Sequence, residues 1–110
     1  MAYTIEYYSS RVQQELLALP VTLQARYVAL SLRMQENGPD LGKQHSLALG
    51  QGLFELRLTG AEGIARVLYC TLVGRRIVVL HSFIKKTQKT PQRDLAIGRA
   101  RLKEVKNAHA

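Results

Sequence analysis

The stretch from Leu53 to Thr90 limits what this chain can fold into more than any other. Three runs, Leu53–Thr59, Ile64–Leu72 and Arg76–Lys86, are rich in β-branched, aromatic and aliphatic residues. Short breaks at Gly60–Gly63 and Gly74–Arg76 separate them. Runs of that composition with turn residues between them predict an antiparallel meander. Cations stand within the runs as well as at their ends: Arg57, Arg66, Lys85 and Lys86. A charged residue inside a strand needs water or a partner. In the first run Phe54, Leu56 and Leu58 share one face, and Glu55, Arg57 and Thr59 share the other. The apolar set can pack on helices, which points Arg57 to an opposite, open face. The third run is apolar at nearly every position, as a central strand covered on both sides is. Lys85 alternates with His81 and Phe83, and Lys86 with Ser82 and Ile84. At most one of the two lysines can share Arg57's face in a regular strand.

The rest of the chain supplies cover for that sheet. Tyr3–Tyr8 reads as a short strand, broken at Ser9-Ser10. Ser10 followed by Gln13 fits a capping box, so a first helix is expected from about Arg11 to Leu19. Pro20 ends it or opens a second helix that runs to about Glu36. Leu23, Tyr27, Leu30 and Met34 form one apolar stripe along the second helix. Asn37-Gly38-Pro39 stops it. This helical hairpin has only the sheet to bury its stripe against. Asp40–Gly52 reads as a loop in which His45 is solvated. Thr87-Gln88-Lys89-Thr90 reads as a polar connector. Thr90 and Pro91 then fit the N-cap and first position of a last helix, about Pro91 to Val105. Asp94 falls near the positive end of its dipole. That helix carries Arg93, Arg99, Arg101, Lys103 and Lys106, either as a solvated face or as a contact for an anionic partner.

The chain has 110 residues, which suits one domain over residues 1–110. Its formal net charge is +8. From Arg57 onward twelve lysines and arginines face three acidic residues. A basic half of this kind is expected to meet a polyanion. Cys70 is the lone cysteine, so no internal disulfide can form, and its apolar neighbours suggest a buried thiol. No window approaches the about 20 apolar residues of a membrane span, and no secretory signal is visible. A cytoplasmic protein without a membrane partner is expected.

No spacing of His, Cys, Asp or Glu suggests a metal site, and no nucleotide fingerprint or nucleophile elbow is present. Neither a metal nor a cofactor is expected. The remaining tools are guanidinium, ammonium and hydroxyl groups, an imidazole and Glu55. They suit RNA cleavage by the ribose 2′-OH on the adjacent phosphate. Fixed guanidinium groups stabilise the anionic phosphorane-like centre while a base and an acid move protons. A lysine among other cations has a lowered pKa and can serve as a base. The same basic sheet can also bind nucleic acid without cutting it.

Several pieces together resemble a known superfamily. They are Leu53-Phe54-Glu55-Leu56-Arg57, Arg66-Val67-Leu68-Tyr69, Ile77 to Phe83, and above all Lys85-Lys86-Thr87-Gln88-Lys89-Thr90-Pro91. Their order resembles the RelE/ParE superfamily of bacterial toxins, most closely its phage-related HigB-like branch. The resemblance covers nearly the whole chain. It implies an α+β fold, RelE-like β-α-α-β-β-β-α, with the helical hairpin on a small antiparallel sheet and a C-terminal helix. It implies the toxin of a type II toxin-antitoxin system, a metal-independent, ribosome-dependent mRNA endoribonuclease. The partners implied are mRNA, the ribosome and a HigA-like helix-turn-helix antitoxin, with operator DNA reached only through the antitoxin. Arg57 and Arg66 would stabilise the phosphate, and Lys86 falls at the position of an active-site arginine. His81, Glu55 and Lys86 are all candidates for base or acid. Lys85, Lys89, Arg93 and Lys43 are the candidate RNA contacts. The chain departs from RelE in having no tyrosine after Tyr69 and in carrying Glu55 where a cation is usual. The competing expectations are a ParE-like inhibitor of DNA gyrase and a non-toxic, phage-derived nucleic-acid-binding module.

Overall fold

A computed structural model of the chain describes residues 2–86 and 89–109. The order is β1 (Thr4–Tyr7), α1 (Ser10–Leu17), α2 (Val21–Asn37), β2 (Ser46–Gly50), β3 (Leu53–Gly60), β4 (Gly63–Leu72), β5 (Arg76–Ile84) and α3 (Gln92–Ala108). The α+β class follows the expectation, with one strand more. Ser46–Gly50, expected to be loop, is an edge strand paired antiparallel with β3. The five-stranded sheet has the order β1-β5-β4-β3-β2. β1 joins β5 in parallel, and the other pairs are antiparallel.

The two faces of the sheet are covered by different elements. On one face, Leu56, Leu58, Val67, Tyr69, Ile77 and Val79 meet Val12 and Leu16 of α1 and Leu23, Tyr27, Leu30 and Met34 of α2. This is the stripe that periodicity predicts. Near its margin the Tyr7 and Tyr27 hydroxyls lie 2.7 Å apart. The N-cap of α1 is Ser9 rather than Ser10: its Oγ accepts from the Val12 N–H at 3.2 Å. Pro20 precedes α2 and offers no side-chain cap. Glu62, from the β3–β4 turn, takes that role by accepting the Thr22 N–H at 2.8 Å. Gly38 ends α2 with φ at 101°, a conformation that costs glycine little.

The other face, which the alternation of β3 suggests is open, is covered. α3 lies across it, and Leu53, Leu68, Cys70, Val78 and Leu80 pack there with Leu102. Gly98 permits the approach, since a Cβ at that position would lie 2.6 Å from Leu68 Cδ1. The basic residues of α3 are not simply solvated. Arg99 donates to the carbonyls of Leu49 and Gly50 on the edge strand. Lys106 donates to the Thr71 carbonyl. Arg101 donates to the Leu80 carbonyl at 2.8 Å and lies over the Tyr8 ring.

Leu80 is where β5 departs from regular alternation. Tyr69 pairs with Val79 and Leu68 with His81, which leaves Leu80 as an extra residue. A bulge of this kind redirects the side chains beyond it. Ile77 and Val79 therefore face the hairpin, whereas His81 meets α3.

Candidate active site

The site is built where the α3 face runs out of apolar cover. β3 and β4 bring Arg57 and Arg66 directly opposite each other. Directly opposed residues on neighbouring strands share a face, with Cβ atoms about 4.5–5.5 Å apart. The next strand places Phe83 opposite Arg66. Lys85 follows β5, and its backbone N–H bonds to the Ile64 carbonyl at 2.8 Å, which continues the pairing. Three cations from three strands thus converge on one corner of the sheet.

One carboxylate stands among them. Glu55 is 2 % exposed and Arg66 8 %. Arg66 Nε lies 2.8 Å from Glu55 Oε1. Glu55 Oε2 accepts a hydrogen bond from the Thr90 hydroxyl at 2.8 Å. Thr90 is therefore not the N-cap of α3, which begins after Pro91 with no side-chain cap. Arg66 Nη1 donates to the Ala65 carbonyl at 3.0 Å, which further restricts the guanidinium.

Burial shifts Arg66 and Lys85 in this corner in the same direction. Burial, opposed by the Glu55 charge and aided by Arg57, lowers the Arg66 pKa. Burial also lowers the Lys85 ammonium, and Arg66 and Arg57 add to that effect while Glu55 opposes it. Arg57 is held differently. Its backbone N–H donates to the His45 carbonyl at 2.7 Å, and its Nη1 reaches the Lys43 carbonyl at 3.5 Å. Arg57 Nε is buried without a hydrogen-bond partner among the described residues.

A second polar pair lies next along the same face. His81 Nε2 and Asp94 Oδ1 are 2.7 Å apart. The His81 ring stacks on Phe83 with centroids 5.8 Å apart. His81 Nδ1 is buried and unpartnered among the described residues. Asp94, in the first turn of α3, stands near the helix dipole as expected, but its partner is the imidazole.

The structure thus brings Arg57, Arg66 and Lys85 together, with His81 on the neighbouring strand position. Lys86 is exposed, at the alternate position from Lys85. Lys43 contributes its carbonyl to Arg57 while its residue is exposed. Lys89 and Arg93 are exposed on the connector and the first turn of α3. Thr87 and Gln88 of the connector lie outside the described residues. Sequence reasoning did not find the Thr90–Glu55 bond or the His81–Asp94 pair. Their partners are 35 and 13 residues apart, and no local pattern marks either. Among the described residues no group of three or more His, Cys, Asp or Glu side chains is placed to hold a metal ion. None of the described helices is long and apolar enough to cross a membrane.

Residues 14–103 match the family model described as "Phage derived protein Gp49-like (DUF891)". No curated protein matches the chain.

Proposed function

The chain belongs to the Gp49-like family of phage-derived proteins, a family of RelE/toxin-like proteins, and from that premise we propose that it is a toxin that cleaves messenger RNA. The cut is made while the message lies on the ribosome, as in the HigB-like branch. A helix-turn-helix antitoxin of the HigA kind restrains the toxin and carries any contact with operator DNA. The observation that carries the reading is the direct opposition of Arg57 and Arg66 on a face where Lys85 joins them.

The chemistry follows from those groups. Arg57 and Arg66 bind the non-bridging oxygens of the scissile phosphate. The ribose 2′-OH gives its proton to a base, its oxygen bonds to phosphorus, and the bond to the 5′-oxygen breaks. The departing 5′-oxygen takes a proton from an acid, leaving a 2′,3′-cyclic phosphate and a 5′-OH. Negative charge on the phosphorane-like centre grows during this step. Guanidinium groups already held by Glu55 and by backbone carbonyls stabilise it without having to reorganise. Lys85, whose pKa is lowered first by burial and then by Arg66, is the first candidate for proton transfer. His81, oriented by Asp94, is the second candidate. Glu55 is unsuited to act as base, because both its oxygens are engaged in a nearly dry site.

Expression without a partner tests the proposal, with transcript 5′ ends mapped after induction. New ends inside translated regions, absent when Arg57→Ala replaces the wild type, are expected. Intact transcripts with accumulating DNA breaks would support gyrase inhibition instead. Unimpaired growth would support a passive binding module.

A further inference from the structure

We propose that Glu55 is a positioning residue that aims Arg66 at the scissile phosphate and, through Thr90, ties the entry to α3 to the sheet. The inference rests on the cleavage reading above. Its basis is geometric. Glu55 occupies a strand position facing cations, yet it is among the least exposed residues of the protein. A buried carboxylate needs partners, and this one has two from different elements. One oxygen meets Arg66 Nε on β4 at 2.8 Å. The other accepts the Thr90 hydroxyl at 2.8 Å, from the segment that leads into α3. Glu55 holds Arg66 Nε by charge, since that nitrogen makes no directed hydrogen bond among the described residues, while Nη1 is tied to the Ala65 carbonyl, and the two contacts together limit where the guanidinium lies. A single carboxylate thereby links Arg66 on β4 to the segment that leads into α3.

The charged and titratable groups facing Glu55 are Arg57 on its own strand, Arg66 on β4 and Lys85 after β5. His81 and Asp94 pair beside them. A carboxylate that merely balances charge and one that positions differ in a measurable way. Removing a negative charge from among cations strengthens attraction for RNA in either case. Only the positioning role also lowers the rate once RNA is bound.

The test is steady-state cleavage of ribosome-bound mRNA by purified wild type, Glu55→Gln, Thr90→Val and Thr90→Ser, each checked by circular dichroism. For Glu55→Gln a lower KM with a lower kcat is expected. The pH–rate limb set by Lys85 is expected to move to lower pH, because Glu55 no longer favours the protonated ammonium. Thr90→Val changes no charge and removes only the hydroxyl. A fall in kcat of about 10-fold is expected, the lower end of what loss of an outer hydrogen-bond partner costs at a metal ligand. Thr90→Ser is expected to restore most of that rate. Wild-type kcat in both Glu55→Gln and Thr90→Val would overturn the inference and leave the cleavage reading standing. A wild-type protein that cuts no RNA would overturn both.

Discussion

The two faces of the sheet solve the same packing problem differently. The hairpin face is apolar over its central strands: Leu56, Leu58, Val67, Ile77 and Val79 meet Leu16, Leu23, Leu30 and Met34, nearly all of them fully buried. The α3 face is apolar over only part of its area. Leu53, Leu68, Cys70 and Leu80 are covered by α3, and Glu55, Arg57, Arg66, His81 and Lys85 occupy what lies beyond. Burying apolar surface stabilises the fold, whereas burying charge costs free energy unless it is paired. The hairpin face therefore carries stability, and the α3 face bears the burden of a site. Arg57 Nε and His81 Nδ1, both buried and unpartnered among the described residues, belong to the second face.

The contrast can be broken most directly by truncating each face in turn. Leu30, 1 % exposed, lies in the hairpin core. Leu30→Ala is expected to cost about 2–5 kcal/mol of unfolding free energy in urea titration. Arg57→Ala, on the other face, is expected to change stability by no more than about 1 kcal/mol, since one buried N–H there already lacks a partner. Equal losses would show that the faces do not divide their labour. Gly98→Val probes how closely α3 must dock. Its added atoms meet Leu68 Cδ1, and overpacking of this kind costs about 1–3 kcal/mol. An unchanged melting temperature would mean that α3 can shift at no cost.

The smallest expected effect lies at the sheet edge. Arg76 donates to both oxygens of Glu6, at 2.6 and 2.8 Å, and ties β1 to β5. The Arg76 hydrogen bond lowers the Glu6 pKa, with burial opposing it. A carboxylate with a depressed folded pKa contributes stability above its unfolded value, and loses it as pH falls through the folded one. The pair is solvent-facing, so the contribution is small. Melting temperature is expected to fall slightly more in wild type than in Glu6→Gln between about pH 5 and 3. Parallel curves would assign no such role to the pair.

Much of this architecture was legible in residue order, and the illegible parts have physical causes. The meander and the stripe Leu23-Tyr27-Leu30-Met34 were legible because one face of each element is apolar. β2 was not, because Ser46-Leu47-Ala48-Leu49-Gly50 is poor in β-branched residues and is flanked by glycines. Its backbone is held by β3 and by Arg99 of α3. Alternation within regular strands allowed at most one of Lys85 and Lys86 onto the face of Arg57, and that it is Lys85 depends on the bulge in β5. The turn of His81 toward α3 was not legible either, because it depends on the bulge at Leu80, whose carbonyl Arg101 takes up. Thr90 illustrates a tertiary override. Its hydroxyl suits a helix cap, yet a buried carboxylate is the stronger acceptor.

The central claim is that Arg57 and Arg66 act as one phosphate-binding unit. A double-mutant cycle on cleavage of ribosome-bound mRNA tests it most directly, with Arg57→Ala, Arg66→Ala and the pair compared with wild type. Each single change is expected to slow cleavage about 10²–10³-fold, by analogy with the loss of one oxyanion-stabilising donor. The double change is expected to cost much less than the product of the two. Full activity in either single variant, or losses that multiply, would contradict the claim.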